Sequence, residues 1–363
     1  MTSSGVAHFF SRMNLAGGEL RTVEVVEATG LTFDFIALAG TQGALDERLR
    51  AGGHGVVPFR LSLRAIPRLF RFLRERRYRV VHVHLGAASG PVIALAALAG
   101  IRTRIAHFRS DAVGGTASLR RSVALALSMA MIRLWATRIV GVAPASLRGA
   151  FGARWENDPR FAVLPNGIDA RRVRAAAATE RARRPDVEER IVVVNVGRVE
   201  PSKNRGRSVL VWEALAARQP STLLLVGEVN AADLRLVAEV RDRLSPGSSI
   251  EVVGDVPDIA EYLGRAHVLV VTSRREGLPG VVLEALAAGT PVVSSDLPGA
   301  VWIAESIDGV TILALDEPNE HWAEALLAAA RTPAELVTSS FDAGPFELVR
   351  VVPRFEELWG IVR

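Results

Sequence analysis

Short runs rich in Val and Ile alternate with longer stretches of helical period along almost the whole chain, and this restricts the fold more than any other feature. Such alternation marks a parallel sheet with crossover helices. In the first half the pattern predicts strands at Val6 to Phe10, Phe33 to Leu38, Val80 to His84, Arg104 to Phe108, Ile139 to Val142 and Phe161 to Leu164. The second half repeats the scheme at Ile191 to Val196, Leu223 to Val226, Ile250 to Val253, Val268 to Thr272, Pro291 to Ser294 and Thr311 to Leu313. A chain of 363 residues is too long for one ordinary core and fits two domains. The expected fold class is therefore α/β, with two Rossmann-like domains. Between them Arg171 to Glu189 is rich in Ala and Arg and weakly patterned, which sets the expected domains at 1–175 and 176–345. After Thr332 the chain reads as irregular through Ser339, Gly344 and Pro345, and then as a helical stretch from Phe346 to Val362.

Several classes of chemistry are excluded or narrowed by composition. Cysteine is absent, so disulfide frameworks, thiolate catalysis and sulfur-ligated metals are ruled out. The apolar runs Gly86 to Ile101 and Ser122 to Ile132 fall short of the ~20 residues a membrane span needs. Met1 to His8 lacks the charged start and apolar middle of a leader, so a cytoplasmic protein is expected. Residues 1–175 hold 25 Arg against 11 acids, a net +14; with +5 overall, the remainder carries −9. Eight of these Arg lie between Arg60 and Arg79, among Leu61, Leu63, Ile66, Leu69, Phe70, Phe72 and Leu73 at helical spacing. Two readings follow: a core helix with an Arg-coated solvent face, or a basic amphipathic helix on anionic lipid. Nucleic acid is not expected as a partner, since no aromatic-interleaved basic motif or reading module is present.

Ligands of open parallel sheets sit beyond the carboxyl ends of strands, so the loops there are where chemistry belongs. Lys203 is the only lysine among 44 basic residues. It lies in Val196-Gly197-Arg198-Val199-Glu200-Pro201-Ser202-Lys203-Asn204, directly after a strand. A planar fork and a point charge five residues apart can hold a diphosphate and neutralise it as it leaves. The loop is not a Walker motif, because the Gly pair and the Lys-Ser/Thr ending are missing. A second segment runs from Ser273 to Val293. There a strand ends, Glu276-Gly277-Leu278-Pro279-Gly280 turns, Pro279 is expected in the first helical turn, and Gly289 closes the helix. Free N–H groups at such a helix start attract anions. Glu276 can accept from sugar hydroxyls, and Glu284 can hold the two hydroxyls of a ribose.

On these residues the chain resembles the retaining GT-B glycosyltransferases of the large family four. The resemblance covers most of the chain. It rests on Gly197, Arg198, Lys203 and Asn204, on the Leu-Leu-Val-Gly strand end at Gly227, on Gly254 to Pro257, and on Glu276 and Glu284 with seven residues between them. Val163 to Asp169 and the loop holding Met13, Asn14, Gly17, Gly18 and Glu19 match in the first half. The resemblance implies two Rossmann-like domains facing across a cleft, with residues 346–363 crossing back onto an N-terminal, acceptor-side domain. It implies transfer of a sugar from a nucleotide-diphosphate sugar to a hydroxyl with retention. It places Arg198 and Lys203 on the diphosphate, Glu276 on the sugar and Glu284 on the ribose. Gly197, Asn204, Gly227, Val256, Gly277, Leu278 and Gly280 would surround the donor, and Gly17 and Gly18 would approach from the first domain.

The family commonly carries a His near the transferred sugar after a late strand of the first domain. Here Ile105 to Asp111 leaves either His107 or Arg109 at that place, both on one strand face. His82 and His84 also share a face and read as buried, satisfied histidines, because a His pair lacks a third ligand at sensible spacing. No Asp-x-Asp signature follows a strand, so no metal and no cofactor are expected. Two acceptors stay open: a lipid-linked saccharide of cell-surface polysaccharide or glycolipid assembly, or a soluble natural product. The Arg60 to Arg79 segment, together with Val123 to Ile132 flanked by Arg120, Arg121 and Arg133, favours the first, with peripheral binding at the inner membrane face. An epimerase or a non-catalytic partner is a lesser alternative.

Overall fold

The computed structural model describes residues 3–14, 17–110 and 118–361. The chain divides into two compact units, residues 1–167 with 348–363, and residues 168–347. Each unit is an α/β layer structure around a parallel sheet.

In the first unit the strands are β1 (Ser3–Phe10), β2 (Thr32–Ala37), β3 (Gly55–Pro58), β4 (Val80–Val83), β5 (Thr103–Phe108), β6 (Arg138–Gly141) and β7 (Phe161–Val163). They lie in the order β3-β2-β1-β4-β5-β6-β7, all parallel. The pattern missed only β3. It is four residues long, ends in Pro58 and is only partly buried, so it lacks the Val/Ile run that marks a central strand. The sheet is covered on both faces. One face packs Leu69, Leu73, Ile93 and Ile132, and the other packs Val23, Val26, Phe355 and Trp359. The C-terminal helix Leu348–Trp359 therefore supplies core to the first unit, despite an internal Pro353.

The second unit continues with β8 (Ile191–Val196), β9 (Ser221–Val226), β10 (Ser249–Gly254), β11 (Val268–Val271), β12 (Val292–Ser295) and β13 (Val310–Leu313), in the order β10-β9-β8-β11-β12-β13. Its core gathers Trp212, Leu215, Val268, Val270, Trp322 and Leu326. The strand order reverses between β1 and β4 and again between β8 and β11, the switch points beyond which ligands of such sheets bind.

Three expectations are corrected. The units divide between Gly167 and Ile168, not at 175, because Ala170–Arg183 is a regular helix capped by Asp169, whose side chain accepts from the Arg172 N–H. Arg174 and Arg181 bond that helix to the backbone of Ala287 and Ala288. The stretch after Thr332 holds the helix Ala334–Ala343, which buries Val337 and Phe341. Pro279 precedes the helix Gly280–Ala288 as its N-cap instead of joining its first turn, while Gly289 closes that helix at φ +83°.

Candidate functional site

In the second unit, the loops after β8 and β11 meet because those strands are neighbours, with Val193 opposite Val268. Lys203 Nζ lies 3.0 Å from Glu276 Oε2, and both side chains are mostly buried, at 21% and 13% exposure. Glu276 also accepts from Ser273 Oγ at 2.7 Å, which leaves its carboxylate held from two sides. The Arg274 N–H donates to the Ser202 carbonyl at 2.6 Å and joins the loops through backbone. The Lys203 stem passes Gly197, where an added Cβ would lie 3.5 Å from Lys203 Cγ.

Asn204 adopts a left-handed conformation at φ 52° and ψ 42°, which Asn tolerates better than most residues. A buried relay holds it there. Thr272 Oγ1 donates to the Asn204 carbonyl at 3.0 Å, so Thr272 accepts from Ser208 Oγ at 2.7 Å, which accepts from Asn195 Nδ2 at 3.0 Å. Asn195, Ser208 and Thr272 are all buried, and the relay satisfies them as burial demands. Neither this relay nor the buried Arg205 was among the expected site residues. The signal for the first was a lone polar residue, Asn195, inside the apolar run Ile191 to Val196.

Gly227 stands at φ +95°, and a Cβ there would lie 2.1 Å from the Gly197 carbonyl oxygen. Only glycine permits this approach between the two strand ends. Gly277 makes a similar contact: a Cβ on Gly299 would meet its carbonyl at 2.1 Å, while Gly280 faces open space. Leu278 is buried, and Val256 lies half-buried in the loop after β10. Arg198 is exposed and paired with Glu200 at 2.8 Å. Glu284 sits half-buried inside the helix Gly280–Ala288. The structure thus joins Gly197, Lys203, Asn204, Gly227 and Glu276 in one loop cluster, while Arg198 is engaged by its own loop.

The first unit carries a second polar cluster. His107 is fully buried and bonds His82, whereas Arg109 stands just past the end of β5. Arg109 donates to His84 Nδ1 at 3.2 Å, Asn166 Oδ1 at 3.1 Å and Thr22 Oγ1 at 2.6 Å. Gly18 gives it room, since a Cβ there would be 2.9 Å from Arg109 Cδ; Gly17 is open to solvent. Burial lowers the Arg109 pKa to about 10, partly offset by the Glu19 carboxylate.

The bonding directions fix the histidine tautomers. Trp359 Nε1–H donates to His82 Nδ1 at 3.1 Å, so His82 Nε2 carries the proton and donates to His107 Nδ1 at 3.1 Å. Arg109 likewise makes His84 Nδ1 an acceptor, so His84 Nε2–H donates to His8 Nδ1 at 2.9 Å. Both chains end on an unpartnered Nε2, at His107 and His8. Burial first, and the Arg109 charge among the further causes, hold His82, His84 and His107 well below the ordinary range and His8 at about 3. The expectation that a third ligand is missing beside His82 and His84 does not hold. His8 places its nitrogen within 4.8 Å of theirs. A metal there would have to break these bonds, beside a guanidinium and with no carboxylate among the three, so hydrogen bonding accounts for the cluster better.

Residues 190–332 match the family described as Glycosyl transferases group 1, and residues 20–167 match the Glycosyl transferase 4-like domain. The chain is a glycosyltransferase. This glycosyltransferase is 25% identical over 299 residues to the Staphylococcus aureus capsular polysaccharide biosynthesis glycosyltransferase CapH, covering 80% of this chain and 81% of that one. It is 27% identical over 346 residues to the putative glycosyltransferase EpsF of Bacillus subtilis, covering 90% and 87%. Among solved structures, Anabaena Alr3699/HepE in complex with UDP aligns over 100% of both chains with a TM-score of 0.79 at 17% identity, a likeness of fold. Sugar transfer and the GT-B architecture are thus properties of this chain.

Proposed function

We propose that this glycosyltransferase moves a sugar, with retention, from a nucleoside-diphosphate sugar to a hydroxyl of a lipid-linked saccharide in cell-surface polysaccharide assembly. The observation that carries the donor half is the Lys203 to Glu276 pair at 3.0 Å. A cation and a carboxylate held this closely can be parted by a ligand that offers a phosphate to one and sugar hydroxyls to the other. Lys203 and Arg198 then neutralise the diphosphate as the bond from the anomeric carbon to phosphate oxygen breaks. The acceptor oxygen forms the new bond on the same face and gives its proton to the departing diphosphate. Glu276 orients the sugar and Glu284 the ribose, with backbone amides between Gly277 and Gly280 facing the donor. In the first unit Arg109, beyond the strand end, takes the place expected of either Arg109 or His107. In this reading the cations do the work a metal would do elsewhere, and no metal or cofactor is required.

The acceptor half rests on the likeness to the capsular polysaccharide glycosyltransferase CapH and on the surface of the helix Leu119–Trp135. No helix among the described residues is long and apolar enough to cross a membrane. Yet Leu119, Val123, Leu127 and Leu134 are 51% to 81% exposed. At 100° per residue they fall within roughly 80° of one another, flanked by Arg120 and Arg133. From Val80 to Trp155 the sequence holds nine Arg and a single acid, Asp111. An apolar stripe with a cationic fringe suits an anionic membrane surface. The helix Ile66–Arg76 suits it less well, because Leu69 and Leu73 are buried and Arg68, Arg74 and Arg76 lie over Phe59, Phe70 and Phe72.

Two measurements test this reading. Nucleoside diphosphate release from a panel of sugar nucleotides is expected to fall roughly 100-fold in Glu276→Ala, and an unchanged rate would refute the donor half. Sedimentation with phosphatidylglycerol vesicles should succeed at low salt and weaken at high salt or in Val123→Asp/Leu127→Asp. Indifference to such vesicles would refute the membrane half and favour a soluble acceptor.

A further inference from the structure

Arg205 opens the helix Arg205–Ala216 and is only 5% exposed. Its guanidinium donates to three backbone carbonyls: Gly227 at 3.2 Å, Val226 at 2.9 Å and Gly197. Gly197 follows β8, Val226 ends β9 and Gly227 follows it, so a single side chain ties together the carboxyl ends of two adjacent strands. Those ends would otherwise bring carbonyl dipoles against one another, since Gly227 approaches the Gly197 oxygen too closely for any side chain. The Gly197 N–H donates to Val226 at 3.1 Å and the Gly227 N–H to Gly254 at 2.7 Å, so the neighbouring backbone is already committed.

The cost of placing a full charge here is the informative part. No carboxylate lies within ion-pair distance of Arg205 among the described residues. Asp233 and Asp255 favour its charge only from farther away, and burial opposes it. It also occupies the first turn of a helix, where the macrodipole disfavours cations. The two other cations of this loop have carboxylate partners, Arg198 with Glu200 and Lys203 with Glu276. A neutral donor could cross-link carbonyls without that electrostatic penalty. Arg205 is thus the buried cation of the loop cluster whose charge no carboxylate of the cluster answers.

We propose that Arg205 is a positioning residue for the donor diphosphate, fixing the Gly197 and Gly227 loop ends and supplying the positive charge that the bound diphosphate balances. This rests on the reading that the loop from Gly197 to Lys203 takes the diphosphate. Arg205 acts through the loops and the local potential, and Lys203 remains the residue in contact.

The test is titration calorimetry of the full chain with UDP, GDP and ADP, carrying forward the tightest of the three as probe. It compares Arg205→Gln, which can still donate to carbonyls but has no charge, with Arg205→Lys, which keeps the charge and loses the fork. Val237→Ala, in the core of the same unit, serves as a destabilised control. The expected result is a Kd raised about tenfold or more in Arg205→Gln, partial recovery in Arg205→Lys, and a Kd within twofold of wild type in Val237→Ala. Donor KM should rise in both Arg205 variants in step with the Kd. Wild-type binding with both Arg205 variants within twofold of it would overturn the proposal and leave the donor site intact. So would equal losses in Gln and Lys variants, which would mark a structural staple whose charge is irrelevant. Failure of the wild type to bind any of the three nucleotides would overturn the diphosphate reading itself, and this inference with it.

Discussion

Adding one methyl group at either of two glycines in the same loop cluster should have very different outcomes. At Gly227 the backbone has φ +95°, and a Cβ would sit 2.1 Å from the Gly197 oxygen. The left-handed backbone alone costs an L-residue about 1–2 kcal/mol. Relieving the contact requires the two strand ends to part by roughly 1 Å, which breaks the Arg205 bonds to Gly227 and Gly197. Hydrogen bonds from a charged group are each worth about 1.5–3 kcal/mol, so Gly227→Ala should destabilise the second unit by about 4 kcal/mol or more. Against a typical total of about 5–15 kcal/mol, that is a large share. At Gly197 the added Cβ would meet Lys203 Cγ at 3.5 Å, Lys203 Cδ at 3.6 Å and Arg205 Nη2 at 3.7 Å, all ordinary contacts, and its φ is not positive. Gly197→Ala should change stability by less than about 1 kcal/mol, with the loss of unfolded-state freedom working in its favour. Urea denaturation followed by circular dichroism, with the transitions of the two units fitted separately, measures both. Equal midpoints for the two variants would refute the claim that the Gly197 and Gly227 backbones are in contact.

Lys203→Met should lower the transfer rate roughly 100-fold. Lys203→Arg should also lose rate, because a planar fork cannot replace a point charge 3.0 Å from Glu276; full activity in Lys203→Arg would reduce the lone lysine to drift. The histidine ladder makes stability depend on acid. His8 is held at about 3, and His82, His84 and His107 well below 6.5. Each is neutral in the fold, while the unfolded chain takes up protons as pH falls below about 6.5. The unfolded state then binds more protons, so stability is complete above about pH 6.5 and is lost as pH drops toward the folded values. The slope approaches about 1.4 kcal/mol per pH unit for each histidine involved. His8→Phe, which keeps a ring against Phe35, should flatten that slope between pH 6.5 and 4; a slope identical to wild type would contradict the ladder.

Most of the strands announce themselves as apolar runs, which is why twelve of the thirteen could be read directly, while β3, four residues ending in Pro58, could not. Helices whose burial depends on partners elsewhere in the chain were harder. Ala170–Arg183 has a polar surface, and its Arg174 and Arg181 bond backbone more than a hundred residues away; nothing local marks that. Lys203 and Glu276 were legible because each follows a strand, and strand order then makes them neighbours. Arg205 was hidden by its own composition, being one Arg among many, and only its burial separates it from those that coat the surface. The histidines misled in a different way. Spacing along one strand shows two ligating groups, while the third, His8, comes from a strand more than seventy residues earlier, which sheet order places alongside.

The first unit is drawn from two segments that flank the second, with Val351, Phe355 and Trp359 completing a core begun by Val6 and Phe10. This inverts the order of synthesis and the order of completion. During translation, the face of the first sheet that holds the histidines is made before its covering helix, which follows the whole second unit. Until then His82 has no Trp359 indole to donate to it, and its tautomer is not fixed. The second unit, continuous from 168 to 347, has no such debt to the C-terminus and can finish first. A nascent chain stalled just before Leu348 is therefore expected to carry a complete second unit and an uncovered first sheet. Chaperone binding and proteolysis would act on that uncovered sheet.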